Sequence, residues 1–420
     1  MRDRLLISML LLALPFMALR AQDVWIVEGD TIISDTTGAD LAAVEAVGTP
    51  ALPWPDNVCQ RINEFLRSPI FRTSTVGIEV FDLTADSVIY AYNEHQRMRP
   101  ASTMKLFTAI TALEELGISH RFTTEMLYTG SIDSCVLHGD IYIKGGMDPL
   151  FSSADIDSIV QRIVDNGIDT IIGNVYADLS LKENKPYGEG WCWDDDNHLL
   201  TPLLLNGKGG FIRAFIHKLE NAGITLTGDT LKASVPADAH SLCTRSHTLG
   251  QILTPMMKHS YNLYAEAVFY HIAASTGRKW ASSRDARSVV SRLMTEIGLD
   301  ASQYYVADGS GLSLYNYVSP HAEVAFLRHA YDNYDIYARL LPTLPVAGAD
   351  GTLDKRMRKG YAQYSVRAKT GTLEGISSLA GYCVAANKHY LCFSIINMGI
   401  RSTATGHTFQ DRVCEALCKP

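Results

Sequence analysis

The stretch MRPASTMKLFTAITALEELG (residues 98–117) places Ser102 three positions before Lys105, at the head of an apolar run. On a helix, positions i and i+3 share one face, so this hydroxyl and amine can touch. Gly117 ends the run, as glycine does at helix C-termini. Upstream, TVGIEVFDL (75–83) alternates like a strand, SVIYAYN (87–93) follows it, and TADS between them reads as a hairpin turn. DNVCQRINEFLRS (56–68) is a helix with Asp56 near its N-cap.

Working outward, residues 118–240 change character. Strand-like pieces (TTEMLYTG, GDIYIKGG, TIIGNVYAD) alternate with a helix around SADIDSIVQRIVDNG, and GGFIRAFIHKLENAGITLTGD reads as a helix and then a strand. This segment is expected to form a domain inserted into the first. Trp191 and Trp193, followed by Asp194 to Asp196, mark a long solvated loop. From about 245 the pattern is helical again, with a break near His259, a helix over SSRDARSVVSRLMTEIG and another over 319–333. YSVRAKTG, SLAGYCVA and YLCFSIIN supply C-terminal strands, and TGHTFQDRVCEALCK a closing helix. Strands, helices, insert, helices and strands in that order predict an α+β fold built on a mainly antiparallel sheet flanked by helices.

The 420 residues are 47% apolar and 20% charged, an ordinary globular balance. Arg2 and Arg4 precede an apolar run from Leu5 to Leu19, and Ala21 offers a cleavage point. Residues 1–21 are therefore expected to be a secretory signal peptide, and 22–55 an extended lead-in. A run of 15 residues is short for a spanning helix, which needs about 20. The mature chain is expected to be periplasmic, with no integral membrane segment. Cleavage moves the formal charge from −8 to −10, which disfavours nucleic-acid partners. The eight cysteines include no CxxC and no zinc-like Cys/His spacing, so no metal or other cofactor is expected. An even number in an exported chain fits disulfides. If Asn387-Lys388 is a two-residue turn, Cys383 and Cys392 face each other across a hairpin; two buried free thiols are the alternative reading.

Ser102-x-x-Lys105 carries little information alone. Two further triplets change that: Ser260-Tyr261-Asn262 at the helix break, and Lys369-Thr370-Gly371 on a strand. Each motif occurs once, in the order SxxK, SxN, KTG, with 158 positions from Ser102 to Ser260 and 109 from Ser260 to Lys369. That set marks serine acyl-transfer enzymes of the β-lactamase and penicillin-binding type. A serine nucleophile needs a base, an oxyanion site and an anchor for its substrate. Lys105 serves as base only if its pKa falls from about 10.4, and burial on an apolar helix with Lys369 nearby would lower it.

Together with GGMDP (145–149), GWCWDDD (190–196), DGSGLS (308–313) and AKTGTLEG, the motifs resemble the D-alanyl-D-alanine carboxypeptidase/endopeptidase family, the class C low-molecular-mass penicillin-binding proteins. The resemblance runs from about residue 56 to the end. It implies a β-lactamase/DD-peptidase-like transpeptidase fold, with the peptidase domain in 56–117 and 241–420 and one inserted α/β domain in 118–240. It implies a penicillin-sensitive hydrolase acting on peptidoglycan stem peptides, with β-lactam antibiotics as inhibitors. Ser102, Lys105, Ser260, Asn262 and Lys369 would be catalytic. Thr370, Gly371 and Thr372 would hold the substrate, with the amides of Ser102 and Thr372 as the oxyanion hole. Asp178 and Glu374 would meet the peptide side chain. Asp308 reads as a turn-former and His259 as structural. Two departures stand out. Leu314 occupies the place after DGSGLS where the family often has Arg, and the second insert common in the family is missing between LLTPLLLNGKGG and FIRAFIHKLENAG. A β-lactamase on the same fold and a catalytically silent wall-binding protein are the competing readings.

Overall fold

In the computed structural model, residues 52–192, 194–195 and 198–420 are described. The expected signal peptide and most of the lead-in lie outside them. Helix α1 (Asp56–Phe65) is followed by the hairpin β1 (Thr75–Asp82) and β2 (Ser87–Tyr92), and a tight turn over Ala101–Thr103 leads into α2 (Met104–Glu115). Every residue of α2 from Met104 to Leu113 is buried. A helix that is apolar all round belongs inside a core, and α2 accordingly forms the centre of the molecule. Lys105 is thereby fully buried, and Ser102 is half-buried at the head of the helix.

The chain then builds β3 (Arg121–Tyr128), β4 (Ser131–Asp133), β5 (Val136–His138), β6 (Ile141–Lys144), α3 (Ser153–Asp165), β7 (Thr170–Ile172), β8 (Val175–Asp178), α4 (Phe211–Asn221), β9 (Thr225–Leu226), β10 (Thr230–Lys232) and β11 (His240–Thr248). Two sheets result, ordered β10-β8-β6-β3-β11 and β4-β5-β7-β9. They enclose their own apolar core with α3 and α4, including Ile143, Phe151, Ile159 and Phe215. Ser152 and Asp155 start α3 with a reciprocal capping box. Strand β11 pairs with β3 along its length, from Tyr128 opposite His240 to Arg121 opposite Thr248. The segment thus leaves where it entered, and its last strand runs eight residues past 240. Only a tight turn at Leu205–Lys208 separates the preceding loop from α4. Asp194 is exposed and Asp195 half-buried, while Trp193 and Asp196 are outside the described residues.

Helices α5 (Leu249–Lys258), α6 (Asn262–Ala274), α7 (Ser283–Glu296), α8 (Pro320–Asp332) and α9 (Tyr334–Leu340) come next, then β12 (Arg367–Leu373), β13 (Ile376–Val384), β14 (Tyr390–Met398) and α10 (Thr403–Cys418). The main sheet runs β12-β13-β14-β1-β2, antiparallel throughout. Successive strand residues point to opposite faces. Ala380, Tyr382 and Cys392 accordingly join the core around α2, α6 and α8. Leu379, Cys383 and Phe393 join the core under α1 and α10. With both faces covered, β1, β13 and β14 read as nearly continuous buried runs.

That register overturns the Cys383–Cys392 pairing. Cys383 stands opposite Leu391, and Cys392 opposite Tyr382. Ala385 and His389 extend the ladder, Lys388 donates to the Ala385 carbonyl at 2.9 Å, and Lys388 adopts φ +70. This is a three-residue loop closed by a left-handed residue, one residue longer than the expected turn. One residue of slip sends a side chain to the other face. The two thiols therefore lie in different cores, and neither Cys383 nor Cys392 is in a disulfide. Peptide mapping of unreduced protein is expected to find no Cys383–Cys392 linkage; finding one would refute this register.

Candidate active site

The turn before α2 presents Ser102 with a cost. Ala101 holds φ +51, a region that non-glycine residues occupy at functional sites under constraint from their surroundings. One turn on, Lys105 is fully buried. Its Nζ lies 2.9 Å from Ser102 Oγ, 2.8 Å from Asn262 Oδ1 and 2.7 Å from the Ser310 carbonyl. Two of these partners, the amide and peptide oxygens, can only accept. The third, a hydroxyl, can donate as well. A neutral amine therefore satisfies the whole set: it donates twice and receives the Ser102 proton on its lone pair.

Burial lowers the Lys105 pKa to about 7, against the upward pull of Asp308 and Glu266. The expected help from Lys369 takes a different form. Lys369, also buried, is itself pushed well below the usual lysine range, by burial and then by the charge of Lys105. Repulsion between the two amines thus disfavours both being charged together.

Ser260 and Lys369 form the opposite wall. Ser260 sits in the break between α5 and α6 with φ +62, and Asn262 begins α6. Lys369, on β12, donates to Ser260 Oγ at 2.9 Å and to the Thr370 carbonyl at 2.7 Å. The Thr370 and Thr352 hydroxyls are 2.8 Å apart. The three motifs are therefore joined through side chains, as SxxK to SxN by Lys105–Asn262 and SxN to KTG by Ser260–Lys369.

Gly371 has a role beyond admitting substrate. A Cβ there would lie 2.1 Å from Ser378 Oγ, 2.6 Å from the Pro100 carbonyl and 3.0 Å from the Ser102 amide nitrogen. The glycine lets β12 run directly against the nucleophile turn. Thr372 and Glu374 follow it, both exposed, with Glu374 just past the strand end.

Other residues fall elsewhere. Asp178 is buried, and its carboxylate accepts the amides of Ser180 at 2.8 Å and Val235 at 2.9 Å. These bonds tie loops of the inserted segment together, and none reaches the motif residues. His259 is exposed, its ring 5.5 Å from that of Tyr261. At the 314 position the leucine side chain is half-buried, and its carbonyl accepts from Arg99 Nε at 2.9 Å.

Asp308 is a turn-former with a large reach. It accepts from the Gly311 and Ser313 amides, Asn316 Nδ2 and Trp191 Nε1, all within 2.7–2.8 Å. This fixes the loop that aims the Ser310 carbonyl at Lys105. Sequence reasoning missed that carbonyl, and it missed Glu266. Glu266 is fully buried, accepts the Ser310 amide at 2.8 Å, and is pushed up to about 8 by burial and then by Asp308. Its signal was its spacing, four residues after Asn262 on an otherwise apolar helix, hence on the same face. Among the described residues no group of His, Cys, Asp and Glu could hold a metal.

The D-Ala-D-Ala carboxypeptidase 3 (S13) family profile matches residues 58–203 and 205–418. The chain belongs to this family. It is a serine-type hydrolase on a β-lactamase/DD-peptidase-like fold. It is 27% identical over 435 residues to a D-alanyl-D-alanine carboxypeptidase of Actinomadura sp. (strain R39), covering 80% of each chain. It is 25% identical over 405 residues to the D-alanyl-D-alanine carboxypeptidase DacB of Haemophilus influenzae, covering 76% of this chain and 84% of that one. The crystal structure of penicillin binding protein 4 (dacB) from H. influenzae superposes with a TM-score of 0.79 at 22% identity, covering 84% of this chain and 97% of that chain. A penicillin G-acylated predatory endopeptidase from Bdellovibrio bacteriovorus shares the fold with a TM-score of 0.54 at 17% identity, covering 80% of this chain and 91% of that one. No helix among the described residues is long and apolar enough to cross a membrane.

Substituting Gly371→Ala is expected to cost about 1–3 kcal/mol, the range for overpacking. It should also slow acylation of Ser102 by an active-site-directed probe, because the added methyl displaces the Pro100–Ser102 turn. Thermal unfolding and probe labelling, measured on the same samples, check both effects.

Proposed function

We propose that the protein cleaves the D-Ala-D-Ala end, or the corresponding cross-link, of peptidoglycan stem peptides through an acyl-enzyme on Ser102. The observation that carries this reading is the trio around Lys105, in which a buried amine lies 2.9 Å from Ser102 Oγ and also contacts Asn262 Oδ1 and the Ser310 carbonyl. Lys105 removes the Ser102 proton as Oγ attacks the scissile carbonyl. The C–N bond then breaks, and Ser260, hydrogen-bonded to Lys369, relays a proton to the departing amine. Asn262 holds Lys105 and the substrate backbone. Lys369 and Thr370 face the substrate's terminal carboxylate. The amides of Ser102 and Thr372 form the oxyanion site, a role supported by the close passage of β12 at Gly371. Water releases the acyl group in the second half-reaction, with Lys105 again as base. Penicillin presents a strained amide in place of D-Ala-D-Ala and acylates the same serine. Glu374 would meet the peptide side chain, a reading supported by its exposure just past the end of β12. The carboxylate of Asp178 is taken up by backbone amides and is not assigned a substrate contact.

A labelled-penicillin gel tests the reading. Wild type should carry a stable adduct, and Ser102→Ala none. Rapid drug turnover would instead mark a β-lactamase, and no adduct in either protein would mark a silent wall-binding protein. Digestion of cross-linked and uncross-linked muropeptides divides endopeptidase from carboxypeptidase action.

The acylation rate should rise with pH through about 7, because Lys105 becomes the free base as its folded-state pKa is crossed. Lys105→Met should lower acylation by on the order of 10²–10⁴-fold, the usual worth of a general base. A pH series of single-turnover labelling measures both.

Leu314→Arg is expected to speed cleavage of stem peptides that carry an acidic group on the third-residue side chain. Equal rates for wild type and variant on diaminopimelate-containing muropeptides would remove position 314 from substrate selection.

A further inference from the structure

Beneath the nucleophile turn lies a second buried network that the reaction itself does not use. Glu323, on α8, has no exposed surface, and neither do Thr103, Ser378 and Ser394 around it. Thr103 Oγ1 is 2.8 Å from the Pro100 carbonyl and in a short hydrogen bond with Glu323 Oε1. Ser378 Oγ donates to the same Pro100 carbonyl. Ser394 Oγ donates to Glu323 Oε2 at 2.6 Å. Ser378 Oγ and Thr103 Oγ1 are 3.3 Å apart, a looser contact.

The protons in this network can be counted. The Pro100 carbonyl has no proton to give, so the two hydroxyls beside it must each supply one. That uses the only proton of Thr103. Ser394 spends its own on Glu323 Oε2. The contact between Thr103 Oγ1 and Glu323 Oε1 then lacks a proton unless the carboxyl brings it. An ionised Glu323 would take the Thr103 proton and leave two acceptors, Thr103 Oγ1 and the Pro100 carbonyl, facing each other at 2.8 Å. Among the described residues no Lys, Arg or His forms an ion pair with Glu323, and a buried carboxylate without a cation costs several kcal/mol.

We infer that Glu323 is held as a neutral carboxylic acid which donates to Thr103, and that it is thereby a positioning residue for Ser102. The acid clamps Thr103, and Thr103 clamps the Pro100 carbonyl. These two residues bracket Ala101 and Ser102 in the turn that bears the unfavourable backbone angle at Ala101. The inference rests on Ser102 being the nucleophile. Burial pushes the Glu323 acid up to about 7, so its proton is lost as pH rises through about 7.

Other ionisable groups lie on the elements packed around it. They are Lys105, Glu114 and Glu115 on α2, Glu79 and Asp82 on β1, Tyr382 and Cys383 on β13, Tyr390 and Cys392 on β14, Tyr334, Asp335, Tyr337 and Arg339 on α9, and His321, Arg328, His329, Tyr331 and Asp332 on α8 itself. Glu79 is paired with His321 at 2.9 Å, and Glu114 with His329 at 3.0 Å. Tyr382 donates to the Leu327 carbonyl at 2.8 Å.

Glu323→Gln and Glu323→Ala separate this role from simple packing. The glutamine amide can donate to Thr103 and accept from Ser394, as the neutral acid does, and it cannot ionise. Wild-type acylation should rise with Lys105 deprotonation and then fall on the alkaline side. Glu323→Gln should keep wild-type activity near neutrality and lose the alkaline fall. Glu323→Ala should lose on the order of a hundredfold at every pH, the scale for a reacting group displaced by about 1 Å. An alkaline fall unchanged in Glu323→Gln, or a glutamine variant as impaired as the alanine one, would overturn the proposal. Should either variant fold poorly, infrared spectra of wild type decide. A protonated-carboxyl carbonyl band that disappears as pH is raised, and whose loss tracks the alkaline fall in acylation, supports the role. A carboxylate at every pH refutes it. Failure of Ser102→Ala to abolish labelling would instead strike the nucleophile assignment itself.

Discussion

Everything in the catalytic half of this protein depends on keeping one lysine dry. Lys105 sits in the centre of the molecule because the helix that carries it is buried on every side. The same burial lowers its pKa to about 7, so that the amine can be without its proton near neutral pH. An exposed lysine would be charged at neutral pH and useless as a base. The main sheet and helices α5 to α8 can be understood as the walls that exclude water from this point. The polar groups in contact with the Lys105 amine are Ser102, Asn262 and the Ser310 carbonyl.

Those partners show how a charged group is tolerated in such a place. Asn262 and the Ser310 carbonyl receive the amine, Asp308 fixes the loop behind Ser310, and Glu266 accepts the Ser310 amide. Two buried acids close by raise the lysine's pKa while burial lowers it, so the base stays near neutrality instead of being permanently discharged. Beneath the turn, Glu323 and three hydroxyls hold the strained backbone from the other side. Strain at Ala101 and Ser260 persists because these bonds over-determine the conformation.

Much of this was legible in the chain. Alternating apolar runs located most strands, and the break near His259 appeared where α5 gives way to α6. The three motifs pointed to residues that the fold brings together, Ser102 with Lys105 and Asn262, and Ser260 with Lys369, because each motif is short, unique and ordered. Other features were not legible, for reasons that differ. The Cys383–Cys392 register failed because a three-residue loop and a two-residue loop look alike in AANKH, and one residue reverses the side-chain direction. Asp178 looked like a substrate contact from its motif, but its partners come from the backbone of Ser180 and Val235, the latter 57 residues away. The Ser310 carbonyl had no signal at all, since a main-chain oxygen carries no residue identity.

The sequence by itself determined the reaction class and most of the order of the elements, and it singled out the residues proposed to do the chemistry. Those depend on side-chain type and on local periodicity, which are written in the chain. Only the tertiary structure decided which groups share a proton and which are merely neighbours in a motif. Proton sharing depends on distances of about 3 Å between segments separated by more than a hundred residues. It depends equally on how much water the assembled fold lets in. Glu323 shows the difference most clearly: in the chain it is one acidic residue on a surface-like helix, and in the fold it is fully buried beneath the turn that bears Ser102.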